Sequence, residues 1–136
     1  MPIGGQRLVE PSRRGVEDAR VEPVELEEPE HLVFHEIRSY LQYAGVKGSL
    51  GYWATPSGSE VDFVWWHGTK RVAIDVKHGS RYRADYRKGI ASLLSSTRVE
   101  SYIVYLGERE MDVEGTRVLP ADVFFRRLHA GQIVGS

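Results

Sequence analysis

The sequence predicts an α/β domain with a mixed central β-sheet and helices on both faces. Three observations lead there. The hydrophobic periodicities run helix, three strands, helix, strand, helix. The first three strands are joined by the short turn segments Pro56–Ser59 and His67–Lys70, which makes them an antiparallel meander. A helix separates the third strand from the apolar run Val99–Leu106, so those two strands can pair in parallel through a right-handed crossover.

Residues 1–29 hold Pro2, Pro11, Pro23 and Pro29 with many glutamates and no apolar period. They read as a linker or tail, with one short extended piece at Val21–Leu26. The domain then occupies residues 30–136. A helix over Glu30–Ala44 carries Val33, Ile37, Tyr40, Leu41 and Ala44 on one stripe and stops at Gly45. Pro29 and Glu30 suit its first turn, where a missing N–H is harmless and a negative charge favours the dipole. Strands follow at Leu50–Thr55, Glu60–Trp66 and Arg71–Lys77. A helix at Arg83–Leu94 buries Ile90, Leu93 and Leu94. Val99–Leu106 is apolar almost throughout, as a central strand should be. A short strand at Thr116–Leu119 leads to a last helix, Ala121–Ala130, with Val123, Phe124 and Leu128 inward.

A length of 136 residues suits one domain, and 41% hydrophobic with 27% charged residues is ordinary for a globular chain. The absence of cysteine excludes disulfides, zinc-thiolate sites and thiol catalysis. No apolar run approaches the ~20 residues of a membrane span, and no apolar signal core opens the chain, so a cytoplasmic protein without membrane contact is expected. The net charge of −1 hides an asymmetry. Residues 1–30 hold four arginines against eight acids, whereas the remainder holds fourteen Lys and Arg against eleven acids. The folded part is therefore mildly basic, which permits nucleic-acid binding.

The chemistry concentrates in Glu60-Val61-Asp62-Phe63-Val64 and Val72-Ala73-Ile74-Asp75-Val76-Lys77. Alternation places Glu60 and Asp62 on one face of their strand, and Asp75 and Lys77 on one face of the next. A symmetric hairpin about Gly68-Thr69 then sets Asp62 against Asp75 and Glu60 against Lys77, with Cβ atoms roughly 4.5–5.5 Å apart. Like charges at that range repel, and a divalent cation such as Mg²⁺ or Mn²⁺ converts the repulsion into a binding site. Lys77 can orient a nucleophilic water or stabilise charge developing on a phosphate. Glu36 borders the helical stripe and can add a carboxylate if that helix packs on the same face.

A helix glutamate, then a hairpin carrying Asp62 and Asp75-x-Lys77, then a helix and a strand, resembles the PD-(D/E)XK nuclease superfamily. The strings Ser59-Glu60-Val61-Asp62-Phe63-Val64 and Ala73-Ile74-Asp75-Val76-Lys77-His78-Gly79 are similar to the nuclease-like C-terminal domain of prokaryotic AAA-type P-loop ATPases. The resemblance covers about residues 30–130. It implies a restriction-endonuclease-like fold and a Mg²⁺- or Mn²⁺-dependent deoxyribonuclease. It makes Asp62, Asp75 and the Val76 carbonyl metal ligands, Glu36 the auxiliary acid, Lys77 the catalytic lysine, and allows a homodimer. No proline precedes Asp62, and the chain lacks the G-x-x-x-x-G-K-[ST] of a P-loop. The expectation is thus a nuclease-like domain detached from, or partnered with, an ATPase module. A non-catalytic DNA- or protein-binding module with the same fold is the alternative.

Downstream, Arg81, Arg83, Arg87 and Lys88 surround Tyr82 and Tyr86, with Asp85 the lone acid. Such a cluster contacts phosphate backbones and stacks bases, although a solvated helix face with amphipathic tyrosines looks the same in sequence. Of Trp65 and Trp66, which alternate across the sheet, one belongs to the core. His31, His35, His67, His78 and His129 read as surface residues without a carboxylate or nucleophile partner.

Overall fold

The apolar runs pair into one sheet whose central strand carries Asp75. The structure is a computed structural model and describes residues 7–9 and 28–135. In chain order the elements are β1 (Arg7–Val9), α1 (Glu28–Tyr43), β2 (Ser49–Ala54), β3 (Glu60–His67), β4 (Lys70–Val76), a 3-10 turn (Ala84–Arg87) continuing into α2 (Lys88–Leu94), β5 (Glu100–Tyr105), β6 (Met111–Val113), β7 (Thr116–Pro120) and α3 (Ala121–His129). Seven strands lie in the order β1-β2-β3-β4-β5-β7-β6. The β4–β5 and β5–β7 pairs are parallel and the others antiparallel, which is the expected mixed sheet.

Period-two alternation divides the core into two layers. On one face, Phe63, Trp65, Val72, Ile74, Val76, Tyr102 and Val104 pack against Val33, Ile37 and Tyr40 of α1 and Phe124 and Leu128 of α3. On the other, Val64, Ala73, Ile103 and Val118 pack against Ile90 and Leu93 of α2. Trp65 is the fully buried member of its pair, and Trp66 is only partly buried against the second layer. No helix among the described residues is long and apolar enough to cross a membrane.

Two elements differ from expectation, and a third expectation is not covered by the described residues. Arg7–Val9, expected within a tail, pair antiparallel with β2 from Arg7↔Ala54 to Val9↔Tyr52. Edge pairing of three residues needs no apolar period, so no signal preceded it. The extended piece expected at Val21–Leu26 lies outside the described residues. Met111–Val113 is likewise an unforeseen strand, closed on β7 by the turn Glu114-Gly115, where both residues have positive φ.

The hairpin register is the expected one from Phe63↔Ile74 to His67↔Lys70, around the two-residue turn Gly68-Thr69. The β2 side breaks it. Pairing steps from Gly51↔Val64 to Trp53↔Val61, two residues on β2 against three on β3. This β-bulge puts Val61 and Val64 on the same face and takes Asp62 out of simple alternation. The expected phase of Glu60 with Asp62 is lost for that reason.

Gly89, in the first turn of α2, rests on the start of β3. A Cβ there would lie 2.0 Å from the carbonyl oxygen of Glu60. Gly89→Ala must displace the helix or the strand, and a loss of about 1–3 kcal/mol is expected in urea unfolding. An unchanged midpoint would show that the contact is loose.

Candidate functional site

Asp62 and Asp75 meet where the β3–β4 ladder ends. Beyond Phe63↔Ile74 the side chains take over from the backbone. The N–H of Val76 donates to Asp62 Oδ2 at 2.8 Å, and the N–H of Asp62 donates to Asp75 Oδ1 at 3.0 Å. Each carboxylate therefore accepts a backbone bond from the opposite strand. The bulge opposite Tyr52 turns Asp62 sideways into this position.

Lys77 completes the group. Its Nζ lies 3.1 Å from Asp75 Oδ2, and its own N–H donates to the carbonyl of Val104 at 2.8 Å. The Asp75 side chain is 5% exposed and that of Lys77 30%, so this pair opens to solvent on the lysine side. The ammonium also lies 5.7 Å from the ring centre of Tyr86. The Tyr86 phenol in turn occupies the space a Cβ on Gly79 would need, 2.0 Å from that position. Tyr86 thus caps Lys77, a contact that could not be placed from the sequence because its helix begins as a 3-10 turn at Ala84.

The electrostatics follow from the crowding. Burial, then the charge and hydrogen bonding of Asp75, and lastly the charge of Glu30 push the Asp62 pKa up to about 8, against the opposing N–H of Val76. Burial disfavours the Lys77 ammonium, but Asp75 and Asp62 more than offset it, and its pKa is raised. Asp62 is therefore the acid of the cluster that burial and its neighbours push toward its neutral form, beside the Lys77 ammonium.

Two expected members stand elsewhere. Glu36 turns to α3, where its Oε1 meets His129 Nε2 at 2.7 Å, and His129 Nδ1 is hydrogen-bonded to the Tyr43 hydroxyl. The helix acid whose charge Asp62 feels is Glu30. Its carboxylate is 14% exposed, pairs with His78 Nε2 at 3.0 Å, and lies close enough to Asp62 to raise its pKa. Glu36 sits six residues, about 9 Å, further along the helix and off the stripe. Glu30 shares the phase of Val33, Ile37 and Tyr40, and that spacing was the available signal. His78 and His129 accordingly have carboxylate partners. Glu60 is exposed and makes no ion pair with Lys77 among the described residues, since the bulge removes it from the expected face.

The basic segment is only partly open. Arg87 donates to Thr116 Oγ1 at 2.9 Å and to the Glu114 carbonyl at 3.0 Å, which ties α2 to the β6–β7 turn. Arg83 pairs with Asp85 at 3.2 Å, and Arg81 and Lys88 are exposed. Tyr82 and Tyr86 meet edge to face.

The raised pKa of Asp62 makes a testable statement about stability. Asp62 releases its proton near its ordinary pKa of 3.8 in the unfolded chain but only toward pH 8 in the folded one, so the stabilisation is complete below the lower pH and is lost as pH rises to about 8. The slope is at most about 1.4 kcal/mol per pH unit. Asp62→Asn keeps an acceptor for the Val76 N–H and removes the titration. Urea unfolding from pH 4 to 9 should show wild-type stability falling across this window and the variant falling less. Parallel curves would contradict the burial-driven shift.

A comparison with curated proteins gave no significant match. A family model does match, over residues 29–124, which runs from α1 into the first turn of α3 and includes Glu30, Asp62, Asp75 and Lys77. The chain belongs to the family described as a domain of unknown function, DUF4143.

Proposed function

We propose that this domain is a nuclease-like module in which Asp62, Asp75 and Lys77 act on DNA phosphodiester bonds with Mg²⁺ or Mn²⁺. The observation that carries the reading is the contact between two buried-edge carboxylates flanked by one ammonium. A folding-only site would avoid two closely placed acids whose burial and mutual charge push the Asp62 pKa up. The donor set fits a cation that takes one or two carboxylates and keeps its waters. Among the described residues no group of three or more His, Asp or Glu side chains is gathered for a metal, so Asp62 and Asp75 would hold it, with the Val76 carbonyl as the further ligand the nuclease resemblance implies. When bound, the ion would neutralise charge developing on the phosphate.

The chain's own groups divide the remaining work. Lys77, open to solvent on one side, orients a water or a phosphate oxygen toward the acids. Tyr86 limits where its ammonium can go. Glu30 replaces Glu36 as the helix acid facing the cluster, held by His78. Arg81 and Lys88 are exposed cations available for a DNA backbone, Arg83 is exposed but paired with Asp85, and Arg87 is engaged within the chain. The occurrence of this family with AAA-type ATPases supports an ATPase partner or parent.

A second reading has its own observation. Among the described residues no buried side-chain polar atom lacks a partner, and Asp62 Oδ2 and both Asp75 oxygens are engaged. The acids would then close the end of the hairpin in a non-catalytic module that binds DNA or a protein for an ATPase.

Calorimetric titration of Mn²⁺ separates the two. Wild type should bind and Asp75→Ala should not, and a wild type that fails to bind overturns the nuclease reading. Incubation with single-strand, duplex and branched DNA in Mn²⁺ should give cleavage that Lys77→Ala lowers by about two to three orders of magnitude. Equal cleavage by wild type and Lys77→Ala would remove Lys77 from the chemistry.

A further inference from the structure

Where α1 and α3 cover the same face of the sheet, three polar side chains join them in a row. Glu36 Oε1 lies 2.7 Å from His129 Nε2, and His129 Nδ1 is hydrogen-bonded to the Tyr43 hydroxyl. An ionised carboxylate only accepts, so Nε2 donates to Glu36. In the neutral ring that leaves Nδ1 as the acceptor, and the Tyr43 O–H donates to it. Glu36 thereby fixes the tautomer in which the imidazole can take the phenol proton. The rings are held as well. Tyr40, 8% exposed, meets the Tyr43 ring edge to face with centroids 5.7 Å apart and the His129 ring in the same way at 5.9 Å. The two rings that lean on it are nearly parallel, with 4° between their planes. Tyr43 itself is 65% exposed, so a reagent in solution can reach it.

We propose that Tyr43, His129 and Glu36 form a nucleophilic triad, and that Tyr43 is a covalent modification site that accepts an acyl group from an activated ester. A hydroxyl beside a base that a third group orients is the arrangement that activates a weak nucleophile. Tyr43 is the nucleophile, His129 the general base and Glu36 the positioning residue. The Tyr43 O–H proton passes to His129 Nδ1 as the phenol oxygen attacks the carbonyl carbon. The bond from that carbon to the leaving oxygen breaks, and the proton on Nδ1 goes to the departing oxygen. An aryl ester on Tyr43 and a free alcohol result, with no change of oxidation state. The fixed charge of the triad is the negative one of Glu36, which suits a neutral acyl carbon better than an anionic phosphoryl donor. The step uses none of Asp62, Asp75 and Lys77, so it does not depend on the nuclease reading.

The test is incubation of the full chain with p-nitrophenyl acetate, followed by mass spectrometry of its peptides. Tyr43 should be acetylated about a hundredfold faster in the folded chain than in urea, because only the folded chain brings His129 to it. An ordinary phenol gains nothing from folding, so the chain's other tyrosines should react no faster folded than unfolded. His129→Phe, which keeps a ring against Tyr40, should remove the advantage of Tyr43. Glu36→Leu should lower it, and Glu36→Gln, which still accepts from Nε2, should restore most of it. A contact that only joins the helices would shift the urea midpoint in these variants and leave the acetylation of Tyr43 unchanged. Equal rates at Tyr43 in the folded and unfolded wild type overturn the proposal, and that comparison needs no variant to fold. So does full acetylation of Tyr43 in His129→Phe. A label that forms on His129 at wild-type speed in Tyr43→Phe makes the imidazole the nucleophile and overturns it too.

Discussion

Two backbone-to-carboxylate bonds between adjacent strands organise the candidate site. The Val76 N–H and the Asp62 N–H, which would otherwise continue the ladder, each end on an acid of the opposite strand. The hairpin can therefore open at this end without leaving buried donors unpaired, and unpaired buried donors are costly. The same bonds hold two carboxylates together in a partly buried place, and that raises the Asp62 pKa and draws Lys77 onto Asp75. Hairpin geometry and site electrostatics are thus one arrangement.

The surrounding elements serve that point from three directions. From one face α1 brings Glu30 and, through it, His78. From the other face α2 approaches β3 so closely that only glycine fits at position 89, and the turn before it lays Tyr86 over Lys77. From the sheet itself, β5 takes the Lys77 N–H and fixes where the strand ends. The apolar layers on the two faces keep these approaches rigid, since packed interiors leave little room for adjustment.

Charge is distributed along the hairpin rather than uniformly. The acids cluster at one end with a single ammonium. Glu36 and His129 form a further polar contact that joins α1 to α3 at the helix surface. That contact is remote from the acid cluster in role, because it bridges the two helices that cover the same face of the sheet.

The sequence by itself determined the α/β order, the layers and the hairpin register, because period-two and helical patterns and a tight turn are local properties. It also marked Asp62, Asp75 and Lys77, because acids and a lysine inside apolar strands are expensive wherever the chain folds. Tertiary structure alone decided the rest. Glu36 was expected at the cluster on the condition that its helix packs on that face, and the docking of α1 instead turned Glu36 to His129 and left Glu30, in phase with the buried stripe, as the helix acid whose charge Asp62 feels. The bulge that displaced Glu60 arises from pairing with β2, a strand whose register against β3 no local pattern contains. Arg87 looked like a nucleic-acid contact until the β6–β7 turn, unseen in the pattern, came within its reach. Local periodicity specifies which way a side chain faces, whereas partners across the fold depend on how whole elements pack.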